Sequence, residues 1–133
     1  MSVSTIKEYV EQIQKENIVQ ETEVRSKIIN PLLNLLKYPS ENIAEEYPIY
    51  GKDGRKDLNC KRADIIAFKQ NNANDHRDKN GIDWVMNNSL VVIELKKPGE
   101  KLEDAKYQAS FYAMWSRCII YVTTNGEDII IYS

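Results

Sequence analysis

A carboxylate and an ammonium stand two residues apart at the end of the run Leu90-Val91-Val92-Ile93-Glu94-Leu95-Lys96-Lys97. The apolar residues ahead of the acid are mostly β-branched, and such a run reads as a strand buried on both faces. Side chains at i and i+2 of a strand point to one side, so Glu94 and Lys96 project together while Leu95 turns into the core. An acid and a base at the end of a core strand are costly to desolvate, which marks a candidate site. Taken alone, the segment also fits a strand whose last residues have reached solvent.

Asp64 follows Arg62-Ala63 and opens the apolar segment Ile65-Ile66-Ala67-Phe68. If that strand pairs antiparallel with Leu90 to Leu95, Asp64 faces Glu94 and Lys96. Two converging carboxylates make an oxygen-rich site suited to Mg²⁺, a hard cation that takes a few carboxylates together with water and phosphate oxygens. A metal there can polarise a scissile phosphate and lower the pKa of a bound water. The lysine can position or activate that water, or steady charge developing on phosphorus. By itself Asp64 is equally a strand-initiating acid.

Further groups bear on the same chemistry. On a helix of ~100° per residue, the apolar face of Val24, Ile28, Leu32 and Leu35 centres close to Glu21, whereas Glu23 falls on the polar side with Lys27, Asn30 and Asn34. An inward Glu21 needs a metal or a partner such as Arg25 to offset its desolvation. A first-turn glutamate favoured by the helix dipole is the alternative. Gln108 and Tyr112 share a helix face at i, i+4, beside Ala105, Ala109 and Trp115. That stripe is either ordinary packing or a pair reaching a DNA backbone or a site carboxylate. Lys52, Arg55, Lys56, Lys61 and Arg62 form a basic stretch, diluted by Asp53 and Asp57, that could steer a phosphate backbone. His76 has no Cys or His neighbour in sequence and reads as solvated. The chain carries no Gly-rich phosphate loop, serine-nucleophile motif or zinc-ligand cluster.

The elements that must position these residues follow from periodicity and turn chemistry. A helix is expected over Val3 to Glu16, with Thr5-x-x-Glu8 as a capping box and Val3, Ile6, Tyr9, Val10 and Ile13 inward. A second helix runs from about Val19 to Lys37 and is kinked or divided at Pro31. Ile43 to Tyr50 is strand-like with interrupted alternation, and Gly51 to Gly54 is a turn. Gln70 to Ser89 is Asn- and Asp-rich and reads as a long loop or extended hairpin tip. After the acidic strand come a helix over Leu102 to Ser116, a strand over Ile119 to Thr123, an Asn125-Gly126 hairpin turn and a last strand over Ile129 to Tyr132. The order α, α, β, β, β, α, β, β predicts an α/β fold, a mixed sheet with helices on its faces.

At 133 residues the chain is expected to be one domain. No apolar stretch approaches the ~20 residues of a membrane span, and the N-terminus lacks a signal-peptide core. Cys60 and Cys118 fit no metal-ligand spacing and read as reduced thiols of a cytoplasmic protein. A net charge of -2 argues against a free-standing, tight nucleic-acid binder, though not against a module delivered to nucleic acid by a larger assembly.

In order along the chain, these residues resemble the PD-(D/E)xK nuclease superfamily, and more closely the N-terminal nuclease domain of type I restriction enzyme R subunits. The resemblance rests on Glu21-Thr22-Glu23-Val24-Arg25, Ile28-Ile29-Asn30-Pro31-Leu32-Leu33, Lys37-Tyr38-Pro39, Arg62-Ala63-Asp64-Ile65-Ile66 and Val91 through Gly99. Gln108 through Ala113 and Thr123-Thr124-Asn125-Gly126 complete it. The E-x-K segment alone is unspecific, and the ordered set is much more specific. Ala63 stands where the superfamily's name has proline.

The resemblance implies a restriction-endonuclease-like three-layer core over residues 21–133, with residues 1–20 as a packing helix, in a piece of a longer polypeptide. It implies hydrolysis of double-stranded DNA with Mg²⁺, or Mn²⁺ in its place. Asp64, Glu94, the Leu95 carbonyl and Glu21 would then hold the metal, and Lys96 would be the catalytic lysine. Gln108, Tyr112, Arg62 and Lys97 would contact DNA. ATP would enter only through a motor absent from this chain, and motor, specificity and methylation components would be the partners. The rivals are a non-catalytic module that binds DNA or a partner, and a nuclease acting on recombination or repair intermediates.

Overall fold

Apolar side chains that largely alternate along the central strands build one core on each side of a single sheet. The computed structural model describes residues 5–49 and 61–133, without the side chains of Lys61 and Lys79. The strands are β1 (Ile43–Ile49), β2 (Lys61–Phe68), β3 (Ser89–Leu95), β4 (Ile120–Thr124) and β5 (Ile129–Tyr132), arranged in sequence order across the sheet. β3 and β4 are parallel and every other neighbouring pair is antiparallel. A parallel pair needs a crossover; here it is helix α5 (Glu103–Ser116).

Ile66, Phe68 and Val92 pack on one face with Tyr112 and Ala113 of α5. Ile65, Ala67, Val91, Ile93 and Leu95 pack on the other, against Val24, Ile28, Ile29 and Leu33. The result is the predicted α/β arrangement of three layers, a mixed sheet between helices. Among the described residues no helix is long and apolar enough to cross a membrane.

Helix α1 (Ile6–Lys15) starts where its cap predicts, with the Glu8 N–H donating to Thr5 Oγ1 at 3.1 Å. Its buried contact is narrower than expected. Tyr9 is buried and its hydroxyl donates to the Ile28 carbonyl at 2.8 Å, while Ile6 and Val10 are exposed. Val3 lies outside the described residues.

The second helical stretch is unbroken over residues 21–35, as α2 (Glu21–Glu23), a π-helical segment (Val24–Ile29) and α3 (Asn30–Leu35). Pro31 therefore does not divide it. Proline has no N–H to donate, and a wider π turn just ahead of it absorbs the missing bond. The Asn30 N–H accordingly reaches back to the Arg25 carbonyl. The wider turn also slips the apolar face by one position, so Ile29 is buried beside Ile28 and Leu33 is buried beyond them, with Leu32 and Leu35 partly covered.

The segment from Gln70 to Ser89 is neither a plain loop nor a hairpin. Two 3-10 turns (Ala73–His76 and Lys79–Gly81) lead into a helix, α4 (Ile82–Asn88). Its Trp84 ring lies 5.0 Å from Phe68 and stacks on His76 at 4.4 Å. Seven residues are too few for periodicity to emerge among so many Asn and Asp side chains. The expected Gly51 to Gly54 turn, and the basic residues Lys52, Arg55 and Lys56, lie outside the described residues.

Candidate active site

The sheet forks where the acids sit. The ladder between β2 and β3 runs to Ile65 opposite Ile93. Beyond it, side chains replace backbone acceptors. The Asp64 N–H donates to Glu94 Oε1 at 3.0 Å, and the Leu95 N–H donates to Asp64 Oδ2 at 2.8 Å. Each carboxylate thus closes the N–H that the diverging partner strand leaves open.

On the other side of β2, the pairing with β1 passes from Glu45 opposite Ile65 to Tyr47 opposite Ala63. Glu46 lies between them with a φ of 51°, a left-handed conformation uncommon for glutamate. This is the physical source of the interrupted alternation in β1. Arg62 and Arg77 brace the irregularity by donating to the Glu46 carbonyl at 3.2 and 3.1 Å, and Arg77 also donates to the Glu45 carbonyl at 2.8 Å.

Burial makes the acid pair electrostatically expensive. Glu94 is only 4 % exposed. Its carboxyl is pushed up to about 9, first by desolvation and then by the charge of Asp64, against a smaller opposing effect of Lys96. Burial raises Asp64 as well, outweighing the hydrogen bond it accepts from Leu95. Without a compensating cation, the two acids do not both ionise near neutral pH.

Lys96 is half-buried, and its N–H donates to the Thr124 carbonyl at 2.8 Å, which carries the β3/β4 pairing one residue past β3. Its ammonium is in electrostatic range of Glu94 and Glu21. Glu21 is half-buried, and its carboxyl is raised by desolvation and by Asp64 while Lys96 and Arg25 oppose the shift. Glu23 turns away: it accepts from the Val19 and Gln20 N–H groups and pairs with Lys27 at 3.1 Å. The structure therefore places Glu21, rather than Glu23, in the field of Asp64.

Sequence reasoning offered Arg25 only as a partner for Glu21. Its Nη2 instead binds Glu46 at 2.7 Å and stands 3.9 Å from Asp64 Oδ1. Glu46 was not singled out at all; only the broken alternation of β1 pointed to its position. Gln108 is half-buried in the stripe of Ala105, Ala109 and Tyr112, and Tyr112 is in the core on the face that α5 covers. Arg62 is exposed apart from its bond to the Glu46 carbonyl, and Lys97 is exposed with Nζ 3.9 Å from Glu100.

The donor set suits a hard cation. Asp64 and Glu94 provide carboxylate oxygens in a place where the pair is poorly neutralised. Two buried side-chain polar atoms in the described residues have no hydrogen-bond partner, Arg25 Nε and Thr123 Oγ1, and both flank the pair. Among the described residues no three His, Cys, Asp or Glu groups are gathered as a metal cluster. Glu21 is thus an electrostatic neighbour of the pair, and not a third member of a closed carboxylate cage. Two carboxylates completed by water are a sufficient protein contribution for Mg²⁺.

The fold and fork define an α/β domain with a buried acidic pair and a lysine at the end of its central strand. Residues 20–133 match the family described as the type I restriction enzyme R protein N terminus, and the chain belongs to that family. No curated protein and no solved structure matches the chain.

Proposed function

We propose that the chain is a Mg²⁺-dependent DNA endonuclease domain of PD-(D/E)xK type, serving a type I restriction R subunit. The observation that carries the reading is the reciprocal Asp64–Glu94 pair at the strand fork, with Lys96 beside it. Asp64 and Glu94 would hold the cation together with the Leu95 carbonyl, and Glu21 would face it as a charged neighbour, through water rather than as a direct ligand. Once bound, the cation would polarise a scissile phosphate and ease deprotonation of a water. Lys96 would orient that water or hold negative charge on the phosphate. Arg25, with Nη2 3.9 Å from Asp64 Oδ1, keeps positive charge at the fork. Gln108, half-buried beside the core residue Tyr112, together with the exposed Arg62 and Lys97, would contact the duplex backbone. Motor, specificity and methylation components would supply translocation and sequence choice.

The reciprocal capping of backbone N–H groups favours a second reading, in which the acids only staple the fork of a non-catalytic module. The two separate in one assay. Glu94→Ala and Lys96→Ala should each abolish Mg²⁺- or Mn²⁺-dependent nicking of plasmid DNA while circular dichroism stays that of the wild type. Wild-type cleavage by either purified variant would remove the proposed site.

A further inference from the structure

The polar run Thr123-Thr124-Asn125 at the end of β4 is only partly explained by the turn that follows it. Thr124 Oγ1 accepts the Gly126 N–H at 3.1 Å. Asn125 Oδ1 accepts the Glu127 and Asp128 N–H groups, each at 2.9 Å, and its Nδ2 donates to the Glu100 carbonyl. Thr123 has no such task. It is 0 % exposed and its Oγ1 has no hydrogen-bond partner among the described residues. A buried hydroxyl in that state costs stability, and valine, of the same shape, would fill the space without the cost.

The register says what the hydroxyl faces. Thr123 lies opposite Glu94 in the parallel β3/β4 pair. Tyr121 packs with the core under α5 and Val122 with the opposite core, so alternation returns Thr123 to the α5 face. Val92 lies in the α5-side core and Ile93 in the other, which puts Glu94 on that same face. Neighbouring strands are ~4.8 Å apart, within reach of a hydroxyl and a carboxylate.

We propose that Thr123 is a positioning residue whose hydroxyl, buried opposite Glu94, would donate to the Glu94 carboxylate when a cation is bound and fix it there. The proposal rests on the metal-dependent reading above. Asp64 and Thr123 then hold Glu94 from its two neighbouring strands, the first through its backbone N–H and the second through its side chain.

The test is Mn²⁺ titration by calorimetry, with and without a DNA duplex, beside thermal melting in EDTA, for wild type, Thr123→Val and Thr123→Ser. Thr123→Val should melt in EDTA at or above the wild-type temperature yet bind Mn²⁺ about tenfold more weakly, the usual scale for a lost partner of a metal ligand. Thr123→Ser should restore most of the affinity. Wild-type Mn²⁺ affinity in Thr123→Val overturns the proposal and leaves the nuclease reading intact. A lower melting temperature with equal weakening in both variants also overturns it, because the hydroxyl would then serve the fold alone. Absence of Mn²⁺ binding by the wild type, even with DNA, overturns the proposal and the metal-dependent reading together.

Discussion

Replacing Glu94 with glutamine should stabilise the metal-free protein and remove most of its pH dependence above neutrality. The folded carboxyl titrates at about 9, so folding near pH 7 takes up a proton that the unfolded chain, with a glutamate near about 4.3, does not hold. The folded state binds more protons, so metal-free stability is greatest below the unfolded value and falls as pH rises towards the folded one. Each pH unit in that window is worth about 1.4 kcal/mol, so a rise from about pH 6 to about pH 8 should cost roughly 3 kcal/mol. Asp64, also raised by burial, contributes a slope of the same sign immediately above its own unfolded value. In Glu94→Gln the amide oxygen can still accept the Asp64 N–H, and no charge remains to be desolvated. Urea unfolding in EDTA, followed by the fluorescence of Trp84 and Trp115 at about pH 6, 7 and 8, measures the slope directly. Millimolar Mg²⁺ should flatten the wild-type slope and leave the variant unchanged. A wild type indifferent to pH over this range, or a Glu94→Gln protein that declines as steeply, would refute the reasoning.

Tyr9→Phe removes the buried hydroxyl that α1 donates to the Ile28 carbonyl at 2.8 Å and should cost about 1 kcal/mol in urea unfolding, with faster amide exchange confined to α1. An unchanged exchange pattern would mean that α1 is held by its apolar contacts alone. Gly126→Ala should destabilise more than Gly99→Ala. Both glycines have positive φ, 86° and 88°, but only at Gly126 would a Cβ meet Ile28 Cδ1 at 3.1 Å and Val24 Cγ2 at 3.2 Å. The strained backbone should cost roughly 1 kcal/mol at each site and the contact more at Gly126, so equal melting temperatures would show that the turn does not press on the π-helical segment.

The central strands and the E-x-K pair were legible because β-branched runs and a period of two survive any choice of neighbours. Antiparallel pairing of β2 with β3 was the condition under which Asp64 would face Glu94, and the structure meets it. The inward turn of Glu21 was legible for a narrower reason: it precedes the π-helical segment, so a regular helical wheel still applies to it. Past Ile28 that wheel is out of phase, which is why Leu32 and Leu35, expected inside, are only partly covered while Ile29 and Leu33 are buried. The Arg25–Glu46 pair was not legible, because it depends on a left-handed glutamate in an irregular strand and no residue type announces that. Helix α4 was hidden by its length and by the amide-rich sequence around it.

The fork also bears on which property of its acids matters. A neutral acceptor at position 64 or 94 would satisfy the Leu95 or Asp64 N–H as well as a carboxylate does, without the cost of desolvating charge. Two acids instead meet in one buried place, where burial raises them both and the charge of Asp64 raises Glu94 further. Arg25 moderates the conflict at Asp64 while spending its shortest contact on Glu46, and Lys96 acts on Glu94 without offsetting its burial. Capping alone accounts for the hydrogen bonds and leaves the surplus charge unexplained. A divalent cation accounts for both, since it would relieve the repulsion and use the same oxygens. The surplus charge thus favours the metal-dependent reading over the stapled, non-catalytic one.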